Sequence, residues 1–123
     1  MKYRVMVVED DKPILEMMDL LIRRLGYEPV LEPDGLVALE SIQENPPALI
    51  LLDIMMVPID GWTFLRRLRE EKGMHEVPVV LFTAAPEVEE RMMQVHDPRV
   101  SVLRKPVSLN ELKEAIGRYL PAG

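Results

Sequence analysis

The sequence predicts a doubly wound α/β domain, a parallel sheet with helices on both faces. Five short runs rich in Val, Ile and Leu recur along its 123 residues: Val5 to Val8, Tyr27 to Leu31, Leu49 to Leu52, Val77 to Phe82, and Val100 to Leu103. Most are near-continuous and not alternating, the pattern of strands covered on both faces. Segments of helical period lie between them. Strand and helix therefore alternate along the whole chain, an order that implies parallel strands joined by right-handed crossovers.

The first helix is predicted to begin near Pro13, since proline suits an early helical position. Ile14, Leu15, Met18, Leu21, Ile22 and Leu25 form its apolar face, and Gly26 ends it. Asp11, just ahead, reads as its N-cap. A second helix runs from about Leu36 to Glu44 and stops at Asn45 and the Pro46-Pro47 pair. A third spans about Trp62 to Glu71, turns Phe64, Leu65 and Leu68 inward and ends at Gly73. The fourth, near Glu87 to Val95, carries Glu87, Glu89 and Glu90 in its first turns, where the helix dipole favours anions. Pro98 forbids its extension and predicts a short helix. The fifth opens on a capping-box pattern, Ser108 with Glu111, ahead of Leu112, Ile116 and Leu120.

Composition narrows the function. Apolar residues make up 48% and charged residues 29%, ordinary for a globular fold with one core. The eleven prolines fall between patterned segments and read as punctuation. A net charge of −6 argues against nucleic-acid binding by bulk electrostatics. The absence of cysteine excludes disulfides, thiolate metal sites and cysteine nucleophiles, and suits a reducing cytoplasm. No apolar stretch approaches the roughly 20 residues that a membrane helix needs, so no membrane association is expected.

Ligands of open α/β sheets bind beyond the carboxyl ends of the strands, so the strand-ending residues carry the chemistry. The first strand ends in Glu9-Asp10-Asp11, the third in Asp53, the fourth in Thr83 and the fifth in Lys105-Pro106. Crowded carboxylates repel one another, and a divalent cation removes the repulsion. Oxygen-only ligands favour a hard metal, Mg²⁺ above all, and no histidine lies near the strand ends to suggest zinc. A lysine in the same space supplies charge for an anion that the metal alone does not neutralise. The set describes phosphoryl transfer onto a carboxylate.

These motifs resemble those of the receiver domains of two-component response regulators, over essentially all of residues 1–123. The likeness rests on Val7-Val8-Glu9-Asp10-Asp11, on Leu51-Leu52-Asp53-Ile54-Met55-Met56 leading to Asp60-Gly61, on Thr83-Ala84, and on Lys105-Pro106. It implies a (βα)5 flavodoxin-like three-layer sandwich with sheet order 2-1-3-4-5. It also implies that Asp53 takes a phosphoryl group from the phosphohistidine of a histidine kinase or phosphotransfer protein. Asp10 would coordinate Mg²⁺ directly, Glu9 largely through water, and the backbone carbonyl of Met55 would be a further ligand. Thr83 and Lys105 would each pair with a phosphoryl oxygen, and the bond before Pro106 would be cis. The output implied is movement of the loop after Thr83 and of a face made by the fourth helix, fifth strand and fifth helix. That face would serve a downstream target protein or a homodimer. Such a domain catalyses only its own phosphorylation and dephosphorylation.

The chain departs from the family pattern in three places. Val57 stands where the family usually has proline, with Pro58 one later, which predicts a reshaped loop and an intact site. Val102 replaces the Tyr or Phe found in many receivers three residues before the lysine. His96-Asp97-Pro98-Arg99 replaces a small-residue turn ahead of the fifth strand. The last two keep open a pseudo-receiver, an interaction module that signals without phosphate. A haloacid-dehalogenase-type phosphatase would need Asp where Met55 stands. A flavodoxin-like carrier would need a Ser/Thr/Gly-rich phosphate loop where the first strand ends in acids.

The remaining residues of note have structural readings. The nine methionines, among them Met17, Met18, Met55, Met56, Met92 and Met93, are expected mostly as core fillers on helices. Trp62 is expected half-buried, and Arg66, Arg67 and Arg69 on a solvated face. His75 and His96 are isolated and expected to bind nothing. The fifth helix is expected to end at Leu120-Pro121 with no DNA-binding or enzymatic output domain after it, which leaves open a single-domain regulator, a relay intermediate or an excised piece of a longer protein.

Overall fold

The computed structural model describes residues 2–123. Its elements alternate as β1 (Arg4–Val8), α1 (Lys12–Arg24), β2 (Glu28–Glu32), α2 (Gly35–Glu44), β3 (Leu49–Asp53), α3 (Gly61–Arg66), β4 (Val79–Thr83), α4 (Val88–Met92), β5 (Val100–Arg104) and α5 (Leu109–Gly117). The sheet order is β2-β1-β3-β4-β5, with every neighbouring pair parallel. This is the flavodoxin-like arrangement expected.

Successive strand residues point to opposite faces, so a continuous apolar run feeds two cores at once. Val5, Val7, Leu49, Leu51, Val80 and Phe82 pack with Leu15, Met18 and Ile22 of α1 and Leu112 and Ile116 of α5. Met6, Val8, Ile50, Leu52, Val79 and Leu81 pack against Leu39 and Ile42 of α2, Phe64 and Leu65 of α3, and Leu68 just beyond it. Full burial of each such side chain stabilises by about 1.5–3 kcal/mol.

The local signals mostly act as read. The Asp11 side chain caps α1 by accepting from the Ile14 N–H, and Gly26 leaves that helix at φ +91°. Asn45 closes α2, and both halves of the Ser108–Glu111 capping box form. Trp62 is half-buried.

Five expectations change. β2 begins one residue later than expected, at Glu28, and lies at the sheet edge with Leu31 exposed, so it is not covered on both faces. The third helix is α-helical only to Arg66 and continues as a π-helical turn over Arg67–Glu71. That turn carries Arg69 inward. Its guanidinium bonds Asp97 at 2.8 Å and the carbonyls of Met74 and Val77 at 2.7 Å each, so Arg69 is buried while Arg66 stays exposed. The methionines divide: Met6, Met18 and Met56 are buried, whereas Met17, Met55 and Met93 are exposed, and Met55 and Met56 lie in a loop. α4 is even shorter than Pro98 alone requires.

Because all strands run the same way, Glu9, Asp53, Thr83 and Lys105 emerge at one edge of the sheet. The two central strands, β1 and β3, lie side by side there, with Val8 opposite Leu52. That pairing sets Glu9 and Asp10 beside Asp53.

Candidate functional site

Glu9, Asp10 and Asp53 each offer a carboxylate oxygen within 4.8 Å of the others. Glu9 and Asp53 are buried and Asp10 is exposed. Lys105 reaches in from the end of β5. Its backbone N–H bonds the Thr83 carbonyl at 3.0 Å, which carries the β4–β5 ladder one step past the strands. Its Nζ then donates to Glu9 Oε1 at 2.9 Å and Asp53 Oδ1 at 3.3 Å. The ammonium also sits 5.0 Å from the centre of the Phe82 ring. The Lys105–Pro106 peptide is cis, as is Val57–Pro58.

One ammonium pairs with two buried carboxylates, and the imbalance falls on Glu9. Burial, then a hydrogen bond shared with Asp53 and the charge of Asp53, push its pKa up to about 7 against the opposing pull of Lys105. For Lys105, burial works to lower the pKa, but the bonds and charges of Glu9 and Asp53 outweigh it and hold the ammonium above its ordinary value.

The loop after β3 is held from below and from the side. Gly61, the first residue of α3, passes so close to β3 that a Cβ would lie 2.5 Å from the Asp53 carbonyl oxygen. Its N–H bonds the Ile54 carbonyl at 2.8 Å, and Asp60 caps the helix by accepting from Thr63 at 2.8 Å. The Asp60-Gly61 motif is thus a cap followed by a close approach, and it fixes Asp53 through its own backbone. From the side, the Val57 N–H donates to Asp10 Oδ2 at 3.1 Å. Asp10 and Met55 line one cleft of about 460 Å³ with Asp60, Trp62 and Arg91. Across the edge, Thr83 is fully buried and its Oγ1 accepts from the Ala85 N–H at 3.0 Å.

The oxygen-only donors, their crowding and the raised pKa of Glu9 fit a hard divalent cation, whose charge would relieve the repulsion among them. Among the described residues no other group of three acidic or imidazole side chains converges in this way.

The family model described as "Response regulator receiver domain" matches residues 5–117. The chain belongs to that family. It is 36% identical over 112 residues to the phosphate regulon transcriptional regulatory protein PhoB of Escherichia coli, covering 91% of this chain and 49% of PhoB. The receiver thus spans about half the length of the curated relatives it matches. The N-terminal domain of a response regulator receiver protein from Methanoculleus marisnigri is 33% identical, with a TM-score of 0.77 and 98% coverage of both chains. The chemotaxis protein CheY4 of Vibrio cholerae shares the fold at a TM-score of 0.86 and 23% identity, over 98% of this chain and 100% of that one.

Glu9, Asp10, Asp53 and Lys105 gather as the strand-end argument requires, whereas Asp11 turns away to cap α1. Sequence reasoning passed over Arg104, whose guanidinium bonds Glu89 and the carbonyls of Ala85 and Pro86 in the loop after Thr83. Its only signal was a register that pairs Arg104 with Thr83, and composition does not reveal register.

Proposed function

We propose that this receiver accepts a phosphoryl group on Asp53 from the phosphohistidine of a histidine kinase or phosphotransfer protein. An Asp53 oxygen attacks phosphorus, the P–N bond breaks with its electron pair passing to nitrogen, and the imidazole leaves neutral after taking a proton from water. The observation that carries the reading is Lys105 Nζ, poised between Asp53 and Glu9 at the mouth of the acidic cluster. Lys105 would pass from the free carboxylate to a phosphoryl oxygen, and the Thr83 hydroxyl would donate to another. Mg²⁺, held by Asp10, Asp53, the Met55 carbonyl and, through water, Glu9, would neutralise the charge of the transferring oxygens. Asp53 is the nucleophile and the chain turns over no external substrate.

The site belongs to signalling in the cytoplasm, with a downstream target or a second copy read out through α4, β5 and α5. Among the described residues no helix is long and apolar enough to cross a membrane. A pseudo-receiver remains the rival, on the strength of Val102 and the five-residue α4. Intact mass after incubation with Mg²⁺ and a small phosphodonor separates the two. One added phosphoryl group, absent in Asp53→Ala and in EDTA, is the expected result. A folded wild-type protein that gains nothing from the donor or from a phosphorylated kinase would favour the pseudo-receiver.

A further inference from the structure

The turn between β4 and α4 is tied to β5 by one side chain. Arg104 Nε donates to Glu89 Oε1 at 2.9 Å, and its Nη2 pairs with the other Glu89 oxygen. Nη1 bonds the Ala85 carbonyl, and Nη2 reaches the Pro86 carbonyl at 3.5 Å. The same residue faces the reacting edge on its other side, because the Ala85 N–H donates to Thr83 Oγ1. A continuous path therefore runs from the Thr83 hydroxyl through the two peptide groups flanking the Ala85 Cα to Arg104 and on to Glu89 in α4. Arg104 is Thr83's partner in the β4–β5 register, so the turn is tied back to a residue of the sheet itself.

We infer that Arg104 is a positioning residue, a latch that holds the turn after Thr83 in its unphosphorylated arrangement and opposes phosphoryl binding at Asp53. The inference rests on the phosphoacceptor reading above. A shift of the Thr83 hydroxyl toward an anion on Asp53 either breaks the bond from the Ala85 N–H or drags the Ala85 backbone with it. The guanidinium resists that drag through the Ala85 carbonyl. Arg104 and Glu89 side chains are 40% and 62% exposed, so the ion pair alone is weak and the carbonyl bonds carry much of the restraint. The latch touches none of Glu9, Asp10 or Asp53, so it acts on phosphoryl binding and leaves the acidic cluster alone.

Beryllofluoride, a non-covalent mimic of the phosphoryl group, tests this in the presence of Mg²⁺. Affinity is read by calorimetry for the wild type, Arg104→Ala, Glu89→Gln and the double variant, with Mg²⁺ alone titrated in parallel. Arg104→Ala is expected to bind the mimic about three- to fivefold more tightly, consistent with a partly exposed pair plus a hydrogen bond. Glu89→Gln, a surface change on α4, should give a smaller gain, and the double variant no more than Arg104→Ala alone. Mg²⁺ affinity should stay constant throughout, which a general loss of structure would not allow. Equal or weaker mimic binding in Arg104→Ala, with the wild type binding normally, would overturn the latch alone. A wild type that binds Mg²⁺ but no beryllofluoride would sink the phosphoacceptor reading, and the latch with it.

Discussion

The backbone N–H of Val57 donates to Asp10 Oδ2 at 3.1 Å. Proline, the usual residue of the family pattern at this position, has no N–H and could not make the bond. The exchange that puts valine at 57 and proline at 58 therefore adds a donor that orients an exposed carboxylate at the mouth of the site. Restoring proline with Val57→Pro should weaken Mg²⁺ binding about tenfold, the scale of one hydrogen bond to a charged group. Trp62 lines the same cleft as Asp10, so its fluorescence can follow the titration. Unchanged affinity would mean that the amide does no more than close the loop.

Gly61 gives a prediction about stability. A Cβ there would meet the Asp53 carbonyl oxygen at 2.5 Å and Ile54 Cα at 2.8 Å, both backbone atoms that cannot swing aside. Gly61→Ala should cost about 1–3 kcal/mol in urea unfolding, as overpacking does, and should displace Asp53. An alanine variant as stable as the parent would show that α3 can retreat freely from β3.

Arg69 should behave as a buried clasp. Arg69→Met would strand Asp97 and leave the Met74 and Val77 carbonyls without their donor, a loss of about 2–4 kcal/mol in urea unfolding. Loss within about 0.5 kcal/mol, typical of a solvated residue, would contradict the clasp. Burial opposes ionisation of Asp97, but the Arg99 N–H and then Arg69 hold its carboxyl below the ordinary value, with His75 adding to them. The pair's contribution is therefore present above the unfolded carboxyl's pKa and lost as pH falls through the lower folded value.

The sign is opposite at Glu9. Its folded pKa of about 7 stands above the ordinary 4.5, so the metal-free native state keeps a proton that the unfolded chain has released. That contribution to stability is complete below pH 4.5 and disappears as pH rises through about 7. In EDTA, the urea midpoint of the wild type should fall relative to Glu9→Gln between about pH 5 and about pH 8. A difference that stays flat across this range would contradict the raised pKa.

The β/α alternation, the two-sided strands and the gathering of Glu9, Asp53 and Lys105 were legible because each follows from local pattern plus the rule that parallel strands end together. The π-helical turn was not legible, because Arg66, Arg67 and Arg69 are equally charged on paper. Only the position of Asp97 and the Met74 and Val77 carbonyls decides which of them turns inward. Leu31 likewise reads as core until the sheet order puts β2 at an edge. The exposure of Met55 follows from the tight turn in which the Ile54 carbonyl accepts from both Met56 and Gly61. Such facts depend on register and long-range contact, and a window of sequence carries neither.

Borohydride trapping reads out directly whether Asp53 carries the proposed phosphoryl group. The protein is incubated with Mg²⁺ and a phosphodonor, reduced with borohydride, digested and read by peptide mass. Reduction converts an aspartyl phosphate, and no free carboxylate, to homoserine. Homoserine at position 53 alone, dependent on Mg²⁺, is the expected result. Intact aspartate at 53, or homoserine at 10 or 60 instead, would contradict it.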